Sequence, residues 1–207
     1  MSNLCGCLTI VCMVRIVRAM WSENSSALSV ENGGAIMNKH RADKQSQQQL
    51  VTKWLKDFDL EIKQGADPTA VWLLFAKEQL DPEDQSQAWG CAIAKPAGLE
   101  DRIIVQTAYS IESHLRHKIG EMTSQDRTDL LWDIRMNMLR FPIATSGLSE
   151  PLEVVNFQAL IFNEAVTKTA LYNAIINVRN SHTWLSWRLM QEFGERPSAR
   201  DSRFFVN

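Results

Sequence analysis

Few side chains in this 207-residue chain have types and spacing suited to chemistry. His114 and His117 form an H-x-x-H at the expected start of a helix, where both rings would lie near one face and could grip a metal. No third ligand is recognisable, and the flanking Arg116 and Lys118 would oppose a cation, so an exposed pair of helix histidines is expected. Cys91 follows Trp89 and Gly90 in an expected strand, where a cysteine usually acts as a small hydrophobe, and no partner base can be named for it. His182 falls inside an apolar stripe made by Leu171, Ile175, Val178, Leu185, Leu189 and Phe193, the setting of a hydrogen-bonded core histidine. There is no glycine-rich phosphate loop, no G-x-S-x-G turn and no H-E-x-x-H. The expectation is a protein that is not an enzyme and carries no metal and no cofactor. The rival reading is a small enzyme or ligand sensor built on His182 or Cys91.

The bulk composition fits that expectation. With 45% apolar and 22% charged residues the chain reads as a globular protein with one main domain. A formal charge of −2, with scattered lysines and arginines, leaves no electrostatic footprint for nucleic acid or an anionic membrane. Seven tryptophans against two tyrosines is an unusual ratio, and tryptophan is enriched at the energetic centres of protein interfaces. Cys5, Cys7 and Cys12 lie near the start and only Cys91 in the body, so no disulfide framework is expected and a reducing, cytoplasmic compartment is.

Residues 4–14, "LCGCLTIVCMV", are apolar but far short of the roughly 20 residues that span a membrane, and the positive charges follow the run, the reverse of a secretory signal. Residues 1–36 are expected to be a disordered or mis-assigned extension, with Met37 the expected start, 37–46 a flexible lead-in, 47–195 one α+β domain and 196–207 a tail.

In the body, "QQQLVTKWLKDFDLEIKQG" repeats apolar residues at helical spacing and is expected to end at Gly65. Strands are expected at 71–76, 89–98 and 102–111, with a polar loop at 81–87. Thr123 followed by Asp126 marks a helix start, and Pro142 a stop. Two strands around a Gly, Ser and Pro turn, the second near 153–163, should extend the sheet before a long helix capped by Thr167. The expected order is helix, three-strand antiparallel meander, helix, two strands, helix, an α+β class.

Two of these helices carry more apolar surface than one sheet can use. In residues 126–140 the large apolar side chains sweep about 240°, wider than the single stripe of a surface helix. One side can pack on the sheet, while Trp132, Met136 and Leu139 need a second cover and Arg135 lies at the border. They are the candidate dimer interface. The last helix repeats the pattern with Ile176, Trp184, Trp187 and Met190 on a second ridge, a candidate protein-binding surface together with Trp72 and Trp89.

The strings "LEDRIIVQT" (99–107), "LLWDIRMNML" (130–139), "LIFNEAVTKTALYNAIINVRNS" (160–181) and "WRLMQEFGE" (187–195) resemble a family of uncharacterised prokaryotic proteins with a type III secretion chaperone-like fold. Phe162, Thr167, Lys168 and Trp187 fall on matching positions, whereas Asn163, Glu164 and Ala165 depart from the family's turn before the last helix. The stretch "WGCAIAKPAGLEDRI" (89–103) is similar to a cyanobacterial branch that includes a carboxysome-assembly chaperone. The resemblance implies a small homodimeric chaperone or assembly factor, dimerising through the helix after the meander and binding an apolar segment or terminal tail of a client protein.

Overall fold

The computed structural model of the chain describes residues 36–79 and 89–194, with side chains from Ser46 onward. The expectations for residues 1–35, for the loop at 81–87 and for the tail lie outside these residues. In chain order come α1 (Ile36–Asp57), β1 (Leu60–Gly65), β2 (Ala70–Glu78), β3 (Gly90–Pro96), β4 (Arg102–Ser110), α2 (Ser113–Glu121) and α3 (Ser124–Met138). They are followed by β5 (Ala144–Ser146), β6 (Val154–Phe162), a 3-10 turn (Asn163–Ala165) and α4 (Lys168–Glu192). The class is α+β, with the six strands in one antiparallel sheet of order β1-β2-β3-β4-β6-β5.

The first helix does not reach Gly65. It ends at Asp57 because Asp59 takes a left-handed conformation at φ 57°, while the Phe58 and Asp59 amides donate to the carbonyls of Leu55 and Lys56. An aspartate tolerates that region better than most side chains, and it reverses the chain there. Leu60 and Ile62 then alternate with exposed Glu61 and Lys63, the period of a half-buried strand, and β1 pairs antiparallel with β2, Ile62 opposite Ala76. The meander therefore has four strands where three were expected. At its other end α1 begins at Ile36, through residues read from sequence as a flexible lead-in; Met, Lys, Arg, Ala and Gln there are all good helix formers. The helix expected after the meander is two helices, because Met122 and Thr123 are extended.

Both threonine caps form as the spacing predicts. The Thr123 hydroxyl accepts from the Asp126 amide at 3.1 Å and donates to the Asp126 carboxylate at 2.7 Å, and the Thr167 hydroxyl accepts from the Ala170 amide at 3.1 Å. Each satisfies a helix donor that would otherwise be left bare.

The described residues divide into two compact units, one reaching Val105 and including Leu160–Ala174, the other Gln106–Ala159 with the chain from Ile175. In the first, Val51 and Leu55 of α1 are fully buried, and α1 packs on β1 and β2. On one face of the sheet Leu73, Ala92 and Ala94 cluster with Ala70 and Phe75, in the register that sets Leu73 opposite Ala94 and Phe75 opposite Ala92. β3 is buried on both faces from Cys91 to Pro96, Lys95 included. The Lys95 ammonium donates to Gln47 Oε1 at 2.6 Å and to Asn163 Oδ1 at 3.2 Å. Asn163 in turn donates through its side chain to the Glu100 carbonyl and through its backbone to the Asp101 carbonyl. Buried polar groups need such partners, and Asn163 ties α1, β3 and the β3–β4 turn together from the turn in which the chain departs from the pattern it otherwise resembles.

The second unit buries Leu115 and Ile119 of α2, Leu130, Leu131, Ile134 and Met138 of α3, Phe157 of β6, and Val178, Leu185 and Leu189 of α4. Gly147 turns the chain between β5 and β6 at φ 83°, and a Cβ there would collide with the Val154 carbonyl oxygen. Gly147→Ala combines backbone strain with a clash against main chain, so it is expected to cost roughly 2–4 kcal/mol in urea unfolding. A loss under about 0.5 kcal/mol would contradict this account of the turn.

Candidate functional site

The site of interest is built on α3. Arg188 of α4 donates from Nε to Asp133 Oδ2 at 2.7 Å and from Nη1 to Glu192 Oε2 at 2.7 Å. Burial opposes the charge on Arg188, yet the hydrogen bonds to Asp133 and Glu192 outweigh it and raise its pKa. Asn137 also donates to Asp133 Oδ1 at 2.9 Å. These bonds hold the polar strip of α3 against α4 and set the rotation of the helix. Leu130, Leu131, Ile134 and Met138 then point inward, and Trp132, Met136 and Leu139 point out, 62%, 47% and 76% exposed.

Spacings of four and three place Trp132, Met136 and Leu139 on one stripe. Fully covering a large apolar side chain is worth roughly 1.5–3 kcal/mol, so three in a row are a considerable cost to leave in water. Arg135 borders the stripe and is itself exposed, but its guanidinium is engaged within the chain: its Nε and Nη2 both donate to the Leu148 carbonyl, the former at 3.0 Å. Its partner is a backbone oxygen in the β5–β6 loop.

The candidate residues of α4 are brought onto one ridge but are less open. Ile176, Trp184, Trp187 and Met190 are all partly buried, on the side of the helix away from Leu185 and Leu189. Trp72 and Trp89 belong to the first unit. Trp89 is half-buried just before β3, whereas Trp72 is only 6% exposed and is held within the sheet rather than displayed as an anchor. Beside it an open cleft of about 390 Å³ is lined by Gln48, Gln64, Asp67 and Pro68 among others, and neither Cys91 nor His182 reaches it.

Sequence reasoning missed a second exposed apolar group. Leu160 and Phe162 lie on the outer face of β6, with the Arg102 guanidinium over the Phe162 ring at 5.1 Å. Asp101 binds Arg102 through two bonds of 2.8 Å, which hold its carboxyl below the usual range. The alternation in "QALIF" was the available signal, since Leu160 and Phe162 share one parity and buried Ala159 and Ile161 the other.

The titratable candidates are chemically quiet. Burial pushes the Cys91 thiol up to about 12, with Glu78 adding to the effect, so no thiolate forms near neutral pH. His182 stands edge-on to Tyr109 at 5.0 Å and to Phe157 at 6.2 Å, and burial lowers its pKa to about 4. His114 and His117 do not converge on a common point: each lies by its own carboxylate, Glu112 at 3.3 Å and Glu121 at 3.2 Å. Among the described residues no group of three His, Cys, Asp or Glu side chains is placed to hold a metal ion. No helix of the described residues is long and apolar enough to cross a membrane.

Residues 47–189 match the model of a family described as "Uncharacterized conserved protein (DUF2299)". A search of curated proteins gives no match. Among solved structures the chain is similar to an uncharacterised protein from Methanothermobacter thermautotrophicus at 24% identity, with a TM-score of 0.62 over 71% of this chain and 99% of the other. That likeness extends the α+β fold to an archaeal protein and carries nothing about activity.

The His182 environment has a measurable consequence. Unfolded, this imidazole takes a proton below its ordinary 6.5; folded, only below about 4. Stability is therefore intact above pH 6.5 and falls as the pH drops toward 4, by roughly 2–3 kcal/mol from this residue. His182→Phe should unfold in urea with a smaller loss between pH 7.5 and pH 4.5 than wild type. Identical losses would contradict the assignment of the neutral ring.

Proposed function

The chain belongs to this uncharacterised conserved family, and we propose that it acts as a small non-catalytic chaperone or assembly factor that shields an apolar segment of a partner protein. The observation that carries the reading is the row of Trp132, Met136 and Leu139, displayed to water on a helix whose other face is fully used by the core. Surface of that kind is kept when another protein covers it. The chemical rival is weakened by the protonation states of Cys91 and His182, one held as thiol and the other as neutral imidazole at pH 7.

In this reading the protein works in the cytoplasm as a homodimer with α3 as its seam, and needs neither metal nor cofactor. The client, a helix or an extended tail, lays its apolar anchors against Ile176, Trp184, Trp187 and Met190 of α4, or, as the alternative surface, against Trp89 in the first unit. Tryptophan and methionine suit such a surface, since one supplies large contact area and the other adapts its shape. The type III secretion chaperone-like arrangement is supported by the α+β class and by an antiparallel meander that follows the first helix. The narrower role in carboxysome assembly rests on the resemblance of residues 89–103 alone.

Affinity purification of the full chain from its native cells, wild type against Trp187→Ala, tests the client surface. One protein should be enriched with wild type and reduced about tenfold with the variant, the loss expected of one interface hot spot. Equal recovery, or none above background, contradicts the assignment. Light scattering tests the seam independently: wild type should show the mass of a dimer and Trp132→Glu that of a monomer, and an unchanged mass removes α3 from the interface.

A further inference from the structure

Resting on the reading of α3 as a homodimer seam, we propose that two copies of this helix pack antiparallel across a two-fold axis near Ile134. In that register Asp129 of each protomer is paired with Arg140 of the other. The exposed side of α3 is self-complementary in this one sense. By helical spacing Asp129 and Arg140 fall on the same flank of the stripe formed by Trp132, Met136 and Leu139, about three turns apart; Arg140 stands two residues past the end of α3, in a closing turn where its amide donates to the Asn137 carbonyl at 3.1 Å. Leu139 occupies the opposite flank with Thr128. In an isologous contact residue i meets j and j meets i. The pairs Asp129 with Arg140, Trp132 with Met136, and Thr128 with Leu139 all have midpoints between Asp133 and Arg135. One axis therefore satisfies all three at once, with apolar side chains at the centre and opposite charges at both ends.

A parallel pair offers no such match, because its two-fold axis runs along the helices and would set the flank carrying Asp129 and Arg140 against the other copy's opposite flank, with Thr128 and Leu139, leaving both charges unpaired. The antiparallel arrangement also opposes the two helix dipoles. The remaining charges beside the stripe are already engaged within the chain: Asp133 with Arg188, and Arg135 with the Leu148 carbonyl. Asp129 accepts from Gln125 at 2.9 Å through Oδ1 and keeps Oδ2 for a second partner, while among the described residues no side chain is bonded to the Arg140 guanidinium. A stripe of three side chains is short beside a standard interface of roughly 1,600 Å², so dissociation is expected in the micromolar range.

Charge exchange in the full chain tests the register by sedimentation equilibrium between roughly 1 and 100 µM at low salt. Asp129→Arg alone and Arg140→Asp alone each create two like-charge contacts per dimer and should weaken dimerisation about tenfold or more, whereas the double exchange should return to within about threefold of wild type. Helical content by circular dichroism should be the same in all four proteins, since both residues are exposed. Singles without effect, or a double variant no better than the singles, overturn the register. If Trp132→Glu still dissociates the dimer in that case, α3 remains the seam and only the pairing is wrong. A wild type that stays monomeric throughout overturns both.

Discussion

The contact between Asp133 and Arg188 decides which way α3 faces. A helix with apolar side chains over most of its circumference has several rotations that would bury some of them, and hydrophobicity alone does not choose among these. Asp133 chooses, because its carboxylate is held by Arg188 from α4 and by Asn137 from the next turn of its own helix. With the polar strip pinned there, Leu130, Leu131, Ile134 and Met138 fill the interior. Trp132, Met136 and Leu139 are left outside. The bonds at 2.7 and 2.9 Å are partly exposed, so their value lies in specifying one arrangement more than in stability.

The outward stripe is then a consequence of the inward packing. Cys91 and His182 are drawn inward as well, Cys91 in a strand covered on both faces and His182 among the rings of Tyr109 and Phe157. Among the described residues, the apolar side chains left exposed on α3 form a stripe with charged residues at its margins. Such a surface recognises proteins by shape and by the placement of a few anchors.

Local rules were legible in the sequence and long-range polar contacts were not. Thr123 and Thr167 announce their helices because a cap and its first turn are three residues apart, and the strands at β2, β3, β4 and β6 declare themselves by apolar pattern and by their Pro and Gly boundaries. β1 was hidden because Ile62 also satisfies the spacing of the preceding helix; the left-handed turn at Asp59 settled the matter. The two faces of α3 could be counted from composition, but not the partner of Arg135, which is a loop carbonyl with no sequence signature. Asn163 is the same case, joined to Gln47 across more than half the chain. Trp72 shows the opposite limit, since a tryptophan reads alike whether it anchors a partner or fills a sheet.

In the proposed working state protein, not water, covers the outer stripe of α3. Covalent carbene footprinting of the full chain at low and high concentration measures this directly. Labelling at Trp132, Met136 and Leu139 should fall severalfold as concentration rises through the dissociation range, while labelling at exposed Leu99 and Tyr172 stays constant. Undiminished labelling of all three residues across that range, in a sample whose mass doubles, would place the interface elsewhere and contradict the account.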